Sequence, residues 1–261
     1  MPAGLFRIFA LEMQRYFIYI AYNGGNYCGW QIQPNGNSVQ QEIETALMTL
    51  LRRPVSITGA GRTDAGVHAR QMVAHFDSER ISEKNELEER INRILPKDIA
   101  IQQIREVIPE AHVRFDAISR EYQYFITTRK DAFEYPFRYK INHPLDVEKM
   151  NQAAQILFEY NDFTSFSKLH TDVKTNFCEI KCARWTKEED LYTFTIRADR
   201  FLRNMVRAIV GTMMDVGRNK LSLDEFRAVI EAKDRCKAGT SVPGQALFLT
   251  DIEYPENLFI S

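Results

Sequence analysis

The sequence predicts an α+β fold made of two β-α-β-β-α-β units that share an antiparallel sheet. Three observations carry this reading. Apolar residues switch between a period of two and a period near 3.6 in the same order twice along the chain. Cap and turn residues fall between those stretches. The length of 261 residues exceeds what a single core usually fills.

In the first half, residues 15–22 read as a strand in which Tyr16, Ile18 and Ile20 alternate with Phe17, Tyr19 and Ala21. Asn35-Gly36 marks a turn. Ser38 and Gln41 then form a capping-box pattern ahead of a helix, whose apolar face carries Val39, Ile43, Leu47 and Leu50 until Pro54 stops it. Strands are expected over 55–60 and 72–76. A helix over 83–95 buries Leu87, Ile91 and Ile94 and ends before Pro96. Residues 99–107 form the last strand of this half.

The second half repeats the order. A strand over 120–127 precedes a helix over 146–160 that carries Val147, Met150, Ala154 and Leu157 on one face. Strands follow over 179–185 and 192–198. A helix over 200–216 is expected to end at Gly217, and Ser222 with Glu225 caps a short helix through 232. Residues 247–254 close the pattern as a strand. Each half therefore has the ferredoxin-like element order, with subdomains over 13–110 and 111–261 and a boundary near 108–118. Residues 1–12 match no element and are expected to be a disordered or non-native extension. Arg7 interrupts their apolar run, which argues against a signal peptide.

Composition excludes several classes. No stretch approaches the ~18 consecutive apolar residues that a membrane helix needs. Cysteines 28, 178, 182 and 236 form no C-x-x-C pair, and the five histidines lack ligand spacing, so reduced thiols and no structural metal are expected. Cys178 and Cys182 would share a strand face. Net charge is −1, so a polyanion partner must be argued from where positive charge gathers. Between Arg197 and Lys220 six basic residues face only Asp199 and Asp215. On the expected helix Arg200, Arg203 and Arg207 fall in one stripe beside an apolar face, and arginine's planar fork suits phosphate.

The densest chemical signal is the run Gly59-Ala60-Gly61-Arg62-Thr63-Asp64-Ala65-Gly66-Val67-His68-Ala69. Its three glycines predict a tight loop between strands. Asp64 stands where a dinucleotide fingerprint needs glycine, and no Gly-Lys-Ser/Thr follows, so neither nucleotide-binding loop fits. Physics alone leaves two readings of Asp64: a turn residue bonding its own backbone, or a carboxylate presented for chemistry.

That run resembles the active-site motif of the tRNA pseudouridine synthase A family. The resemblance continues through Gly29-Trp30-Gln31, Phe115-x-Ala117-x-x-Arg120-x-Tyr122-x-Tyr124, Asn161-Asp162-Phe163-Thr164-Ser165-Phe166, the stretch Phe201 to Gly211, and Ala246-Leu247-Phe248-Leu249 before Tyr254-Pro255. It spans about residues 15–255. Two positions depart from the family pattern: Gln71-Met72 stands where Gly-Gln is frequent, and Ala246 where glycine is usual.

The resemblance implies an isomerase that converts uridine to pseudouridine at positions 38, 39 and 40 in the anticodon stem-loop of tRNA. It implies Asp64 as the catalytic carboxylate and Tyr122 as a platform for the flipped base, in a central RNA-binding cleft. Arg207 would turn inward to pair with Asp64, Arg62 would hold phosphates or the flipped nucleotide, and Arg200 and Arg203 would meet the backbone. A cytoplasmic homodimer is implied as well. The reaction gains no atoms, so no cofactor or metal is expected, and His68 has no expected catalytic role. Two competing readings are a non-catalytic RNA-binding protein with an aromatic sheet and a hydrolase using Asp64 as base. The first leaves Asp64 unexplained, and the second lacks a nearby metal site or second acid.

Overall fold

The computed structural model describes residues 13–34, 36–168 and 175–260. The expected extension over 1–12 and Asn35 of the expected turn lie outside these. The elements run β1 (Met13–Tyr22), α1 (Val39–Leu51), β2 (Thr58–Gly59), β3 (His68–Glu79), α2 (Lys84–Ile94) and β4 (Ile99–Val107). They continue with β5 (Ser119–Thr127), β6 (Tyr139–Lys140), α3 (Val147–Ile156), β7 (Ile180–Glu188), β8 (Leu191–Ala198), α4 (Met205–Gly217), α5 (Leu223–Glu231) and β9 (Leu247–Glu253). The fold is α+β around one large, mostly antiparallel sheet. Its strand path is β4-β1-β3-β9-β5-β8-β7, with β2 on β3 and β6 on β5.

Within this mostly antiparallel sheet the seam between the halves is a short parallel pairing: His68 pairs with Phe248 and Ala69 with Leu249. Only the first residues of β3 reach β9 in this way. β3 is also longer than the expected 72–76, because β1 pairs with it from Met13↔Glu79 to Tyr22↔Ala69 and satisfies its backbone beyond the apolar run. Conversely, β2 is only two residues long. The Ile57 amide bonds Glu44 Oε1 at 2.9 Å and its carbonyl accepts from Gln40 Nε2 at 3.1 Å, so side chains of α1 replace a strand partner.

Ser38 caps α1 by accepting from the Gln41 amide at 3.3 Å, and its own amide turns to Asn37 Oδ1 at 2.9 Å, which leaves a half box. A cap of this kind contributes ~1 kcal/mol. α1 ends at Arg52 in the left-handed region, φ 53°, before Pro54 is reached. The Ser222–Glu225 box on α5 is complete. α3 stops at Ile156 and tightens into a 3₁₀ turn over Leu157–Glu159. Gly217 is the last residue of α4 rather than a left-handed cap, and a side chain there would strike Met150. Cys178 precedes β7, and a register shift separates Ile180 from Cys182, so the two cysteines share no regular strand face.

Two apolar cores result. One joins β1, α1, β3, α2 and β4 and takes in Leu249, Ile252, Tyr254 and Leu258 from the other end of the chain. The second joins β5, α3, β7, β8, α4 and α5 and includes Val67. Full burial of a side chain such as Ile43, Leu47 or Ile209 stabilises by about 1.5–3 kcal/mol. Tyr122 packs against both cores. Among the described residues no helix is long and apolar enough to cross a membrane, and no three His, Cys, Asp or Glu side chains converge as metal ligands.

Candidate active site

Asp64 lies on the loop between β2 and β3, and distant residues fix that loop. The Thr63 hydroxyl shares a 2.8 Å hydrogen bond with Tyr22 on β1, the Thr63 carbonyl accepts from the Trp30 amide at 3.2 Å, and the Val67 amide donates to the Asp64 carbonyl at 3.1 Å. Gly29 has φ +104°, and a side chain there would collide with the Thr63 carbonyl; Gly66 has φ +75°. The glycine-aromatic-glutamine segment and the aspartate loop, far apart in sequence, are thus pressed together where only glycine fits.

The carboxylate of Asp64 meets the second half of the chain. Its Oδ2 lies 3.0 Å from Arg207 Nη1 and its Oδ1 lies 3.8 Å from Arg203 Nε. The Arg207 guanidinium is itself anchored, because its Nε donates to the Val242 carbonyl at 2.7 Å. The side chain of Arg203 is 59% exposed against 23% for Arg207, so Arg207 is the fixed partner and Arg203 the available one.

Arg200 and Arg203 do not belong to the helix. The expected stripe fails because Asn204 sits at φ +68°, outside helical geometry, and α4 begins only at Met205. Asparagine tolerates this conformation, and its Nδ2 donates to Ser241 Oγ at 2.7 Å. Arg200 is half-buried, with its amide donating to Asp199 Oδ1 at 2.7 Å. The local excess of positive charge is also smaller than the chain count suggests. Arg197 bonds Glu121 at 3.1 Å, Asp251 at 3.0 Å and Glu253 at 3.4 Å, on the sheet face opposite Tyr122, since neighbouring residues of a strand alternate. Arg218 pairs with Asp215 at 3.8 Å. Arg62 is exposed and makes no ion pair among the described residues.

Tyr122 is half-buried on β5 with its ring edge-on to Phe201, centroids 5.2 Å apart. Burial, reinforced by the Asp64 charge, pushes its phenol up to about 12, so it stays neutral at ordinary pH. His68 is committed to the scaffold. Its Nδ1 accepts from the Gly24 amide at 3.0 Å and its Nε2 contacts the Gln245 carbonyl at 2.9 Å, which requires the neutral Nε2–H tautomer. Burial lowers its pKa.

Two arrangements escaped the sequence reading. Residues 242–245 form a bracket of backbone carbonyls: Val242 holds Arg207, Pro243 accepts from Tyr124 at 2.9 Å, and Gln245 holds His68. Its work is done by carbonyls, which no residue pattern advertises. Ala246 is fully buried beside it without a left-handed φ, so the usual glycine is not needed there. Gln71 donates to Asp251 Oδ1 at 2.8 Å, bonding across the seam. The second arrangement is the set of contacts made by Arg120, two residues before Tyr122.

A family model described as tRNA pseudouridine synthase matches residues 18–116 and 153–255. The chain belongs to the tRNA pseudouridine synthase family. It is 65% identical over 248 residues to the tRNA pseudouridine synthase A of Parabacteroides distasonis, covering 95% of this chain and 98% of the relative. The corresponding protein of Bacteroides thetaiotaomicron is 61% identical over 250 residues, covering 95% and 93%. That of Bacillus subtilis is 38% identical over 239 residues, covering 90% and 97%. The synthase is therefore an isomerase that makes pseudouridine in tRNA. Arg62 and Asp64 fall in the first matched stretch and Arg200, Arg203 and Arg207 in the second, while Tyr122 lies between them.

Proposed function

We propose that the synthase isomerises the uridines at positions 38, 39 and 40 in the anticodon stem-loop of tRNA, with Asp64 as the catalytic carboxylate. The observation that carries this is the Asp64–Arg207 pair at 3.0 Å, a carboxylate on a glycine-shaped loop beside Tyr122. Isomerisation breaks the C–N glycosidic bond, turns the base and joins it through carbon while a proton leaves that carbon. An ionised carboxylate can begin it, as nucleophile or as base. The Arg207 guanidinium, 3.0 Å away, holds the carboxylate in place.

The target uridine flips out of the stack and its base lies against Tyr122. Arg203 swings from Asp64 to phosphate as RNA arrives, and Arg62 and Arg200 contact the backbone or the flipped nucleotide. The two halves, 13–110 and 111–261, act as ferredoxin-like subdomains with the cleft along their seam. The strand orders β4-β1-β3-β2 and β9-β5-β8-β7 and the two separate cores support this division. In keeping with the family resemblance, the synthase works as a cytoplasmic homodimer without a cofactor. A non-catalytic RNA-binding role gives no reason to hold a carboxylate against arginine in an RNA cleft, since it would repel phosphate.

The test is incubation with unmodified tRNA followed by base-resolved mapping of pseudouridine. Signal at positions 38 to 40 that is absent without the enzyme is expected. Product confined to other positions would overturn the assignment of the site.

A further inference from the structure

Arg120 carries a guanidinium that meets no carboxylate among the described residues. Its Nη1 donates to the carbonyls of Asp199 at 2.7 Å and Ala117 at 3.1 Å, and its Nη2 to those of Arg114 at 2.6 Å and Ala60 at 3.4 Å. The acceptors belong to three segments far apart in sequence. Ala60 is the second residue of the run that carries Asp64, Arg114 and Ala117 lie in the passage between the halves, and Asp199 leads into the segment carrying Arg200 and Arg203 and then Arg207 on α4. Tyr122 follows Arg120 by two residues on β5, so both project from the same sheet face. One side chain therefore bonds backbone at the start of the segments that lead to Asp64 and to the arginines of the site, from the strand that carries Tyr122.

Partly burying a cation among neutral acceptors is costly unless each N–H is satisfied, and burial does lower the affinity of Arg120 for its proton. If its purpose were stability alone, apolar packing of similar volume would serve as well. A guanidinium has the reach and the fixed fork to bond several carbonyls at once, and an ammonium has neither. We propose that Arg120 is a positioning residue for isomerisation: it sets the Asp64 loop, the arginine segment and Tyr122 in mutual register without touching the substrate. This rests on the assignment of Asp64 above.

The test compares the full-length parent with Arg120→Met and Arg120→Lys, well below the melting temperature of each. Single-turnover rates at saturating tRNA and tRNA affinity are measured separately. Misplacing reacting groups by about 1 Å costs roughly a hundredfold in rate, so Arg120→Met should lose about that much while its Kd for tRNA stays within about threefold. Arg120→Lys should recover part of the rate. Tyr16→Phe is the control, because it removes the acceptor of a 2.9 Å bond from the Ile81 amide within the first core, away from the three segments. It should lower melting temperature with little change in rate.

Hydrogen exchange supplies the local readout, applied to Arg120→Lys if the Met variant does not fold. Amides over 61–66 and 200–204 should exchange faster, and those of α5 should not. Parent-like rates in a folded Arg120→Met would overturn the proposal. So would an affinity loss that accounts for the whole rate loss, which would make Arg120 an RNA contact, or an equal rate loss in the Tyr16→Phe control. If the parent makes no pseudouridine, the functional reading itself fails, and the exchange pattern still reports whether Arg120 links the segments.

Discussion

The two sides of the site are built differently. On the first half, the Asp64 loop is pinned through Tyr22, Trp30 and Val67, packed against Gly29, where a side chain would collide, and turned at Gly66 with its positive φ. On the second, the residues leading into α4 are held by hydrogen bonds without any glycine: the Arg203 carbonyl accepts from Lys168 at 3.0 Å, the Met205 amide turns back to Leu202 at 3.1 Å, and Asn204 reaches Ser241. Arg207, on the helix proper, is anchored, while Arg203 stands mostly in solvent. The contrast teaches that the carboxylate proposed to react is placed by the first half, whereas the second offers one anchored cation, Arg207, and one exposed cation, Arg203.

The largest effect expected from breaking this arrangement is at Asp64. Asp64→Asn keeps size and removes the negative charge, so pseudouridine formation should fall below roughly one ten-thousandth of the parent rate, with tRNA binding retained. Residual rapid turnover in single-turnover assays would place the chemistry on another residue. Arg207→Met comes next. Removing a charged partner from a transition state costs on the order of a hundredfold in rate, and the part-exposed pair contributes ~1 kcal/mol of stability. Arg207→Lys should fall between the two. Equal rates in the parent and the Met variant would make the pair ornamental.

A third change separates fixed from available arginine. Arg203→Ala should leave the rate at saturating tRNA within a few-fold. It should reduce the slope of log affinity against log salt by about 0.7–0.9, the contribution of one phosphate contact, and Arg200→Ala should do the same. An unchanged slope in both variants, measured by salt titration of binding, would put the RNA elsewhere.

The smallest effect concerns scaffold rather than site. His75 accepts from the Val113 amide at 3.2 Å, and burial, with Arg15 and His112 nearby, lowers its pKa to about 4. The unfolded chain takes up the proton near 6.5, so U binds more protons than N between those values and stability rises with pH there. The stabilisation is complete above about 6.5 and drains away as pH falls toward 4. His75→Gln should flatten melting temperature against pH between 5 and 6.5, where carboxylates contribute little. An unchanged profile would mean that His75 is not held neutral.

Much of this was legible in the sequence, and the misses share a cause. Strand β1, helix α2 and the Ser222–Glu225 cap depend on neighbours within a few residues, so local pattern suffices. The start of α4 does not. Asn204 takes a left-handed conformation beside Ser241, 37 residues away, and no helical period registers that. β2 shrank because Gln40 and Glu44 of α1 took its hydrogen bonds. Asp64 stood out through its glycines, whereas its pairing with Arg207 came only from family resemblance. Counting charge along the chain put Arg197 with the site, although strand alternation sends it to the other face. The grips of Arg120 and the carbonyl bracket at 242–245 leave no trace in residue identity, because their acceptors are backbone oxygens.

The parallel seam of β3 and β9 bears on when the synthase becomes active. Its pairs join His68 to Phe248 and Ala69 to Leu249, a separation of 180 residues, and the carbonyls that hold Arg207 and His68 lie just before β9. Contacts of such long span form late, since the loop must close before they reward it. The chain can fold most of its first core around β1, β3 and β4 while synthesis proceeds. The Val242 carbonyl that anchors Arg207 and the strand that joins the halves are synthesised last, so the Asp64–Arg207 pair is expected to be fixed only once residues 242–253 have docked. The Asp64–Arg207 pair is then expected to be among the last contacts the chain completes.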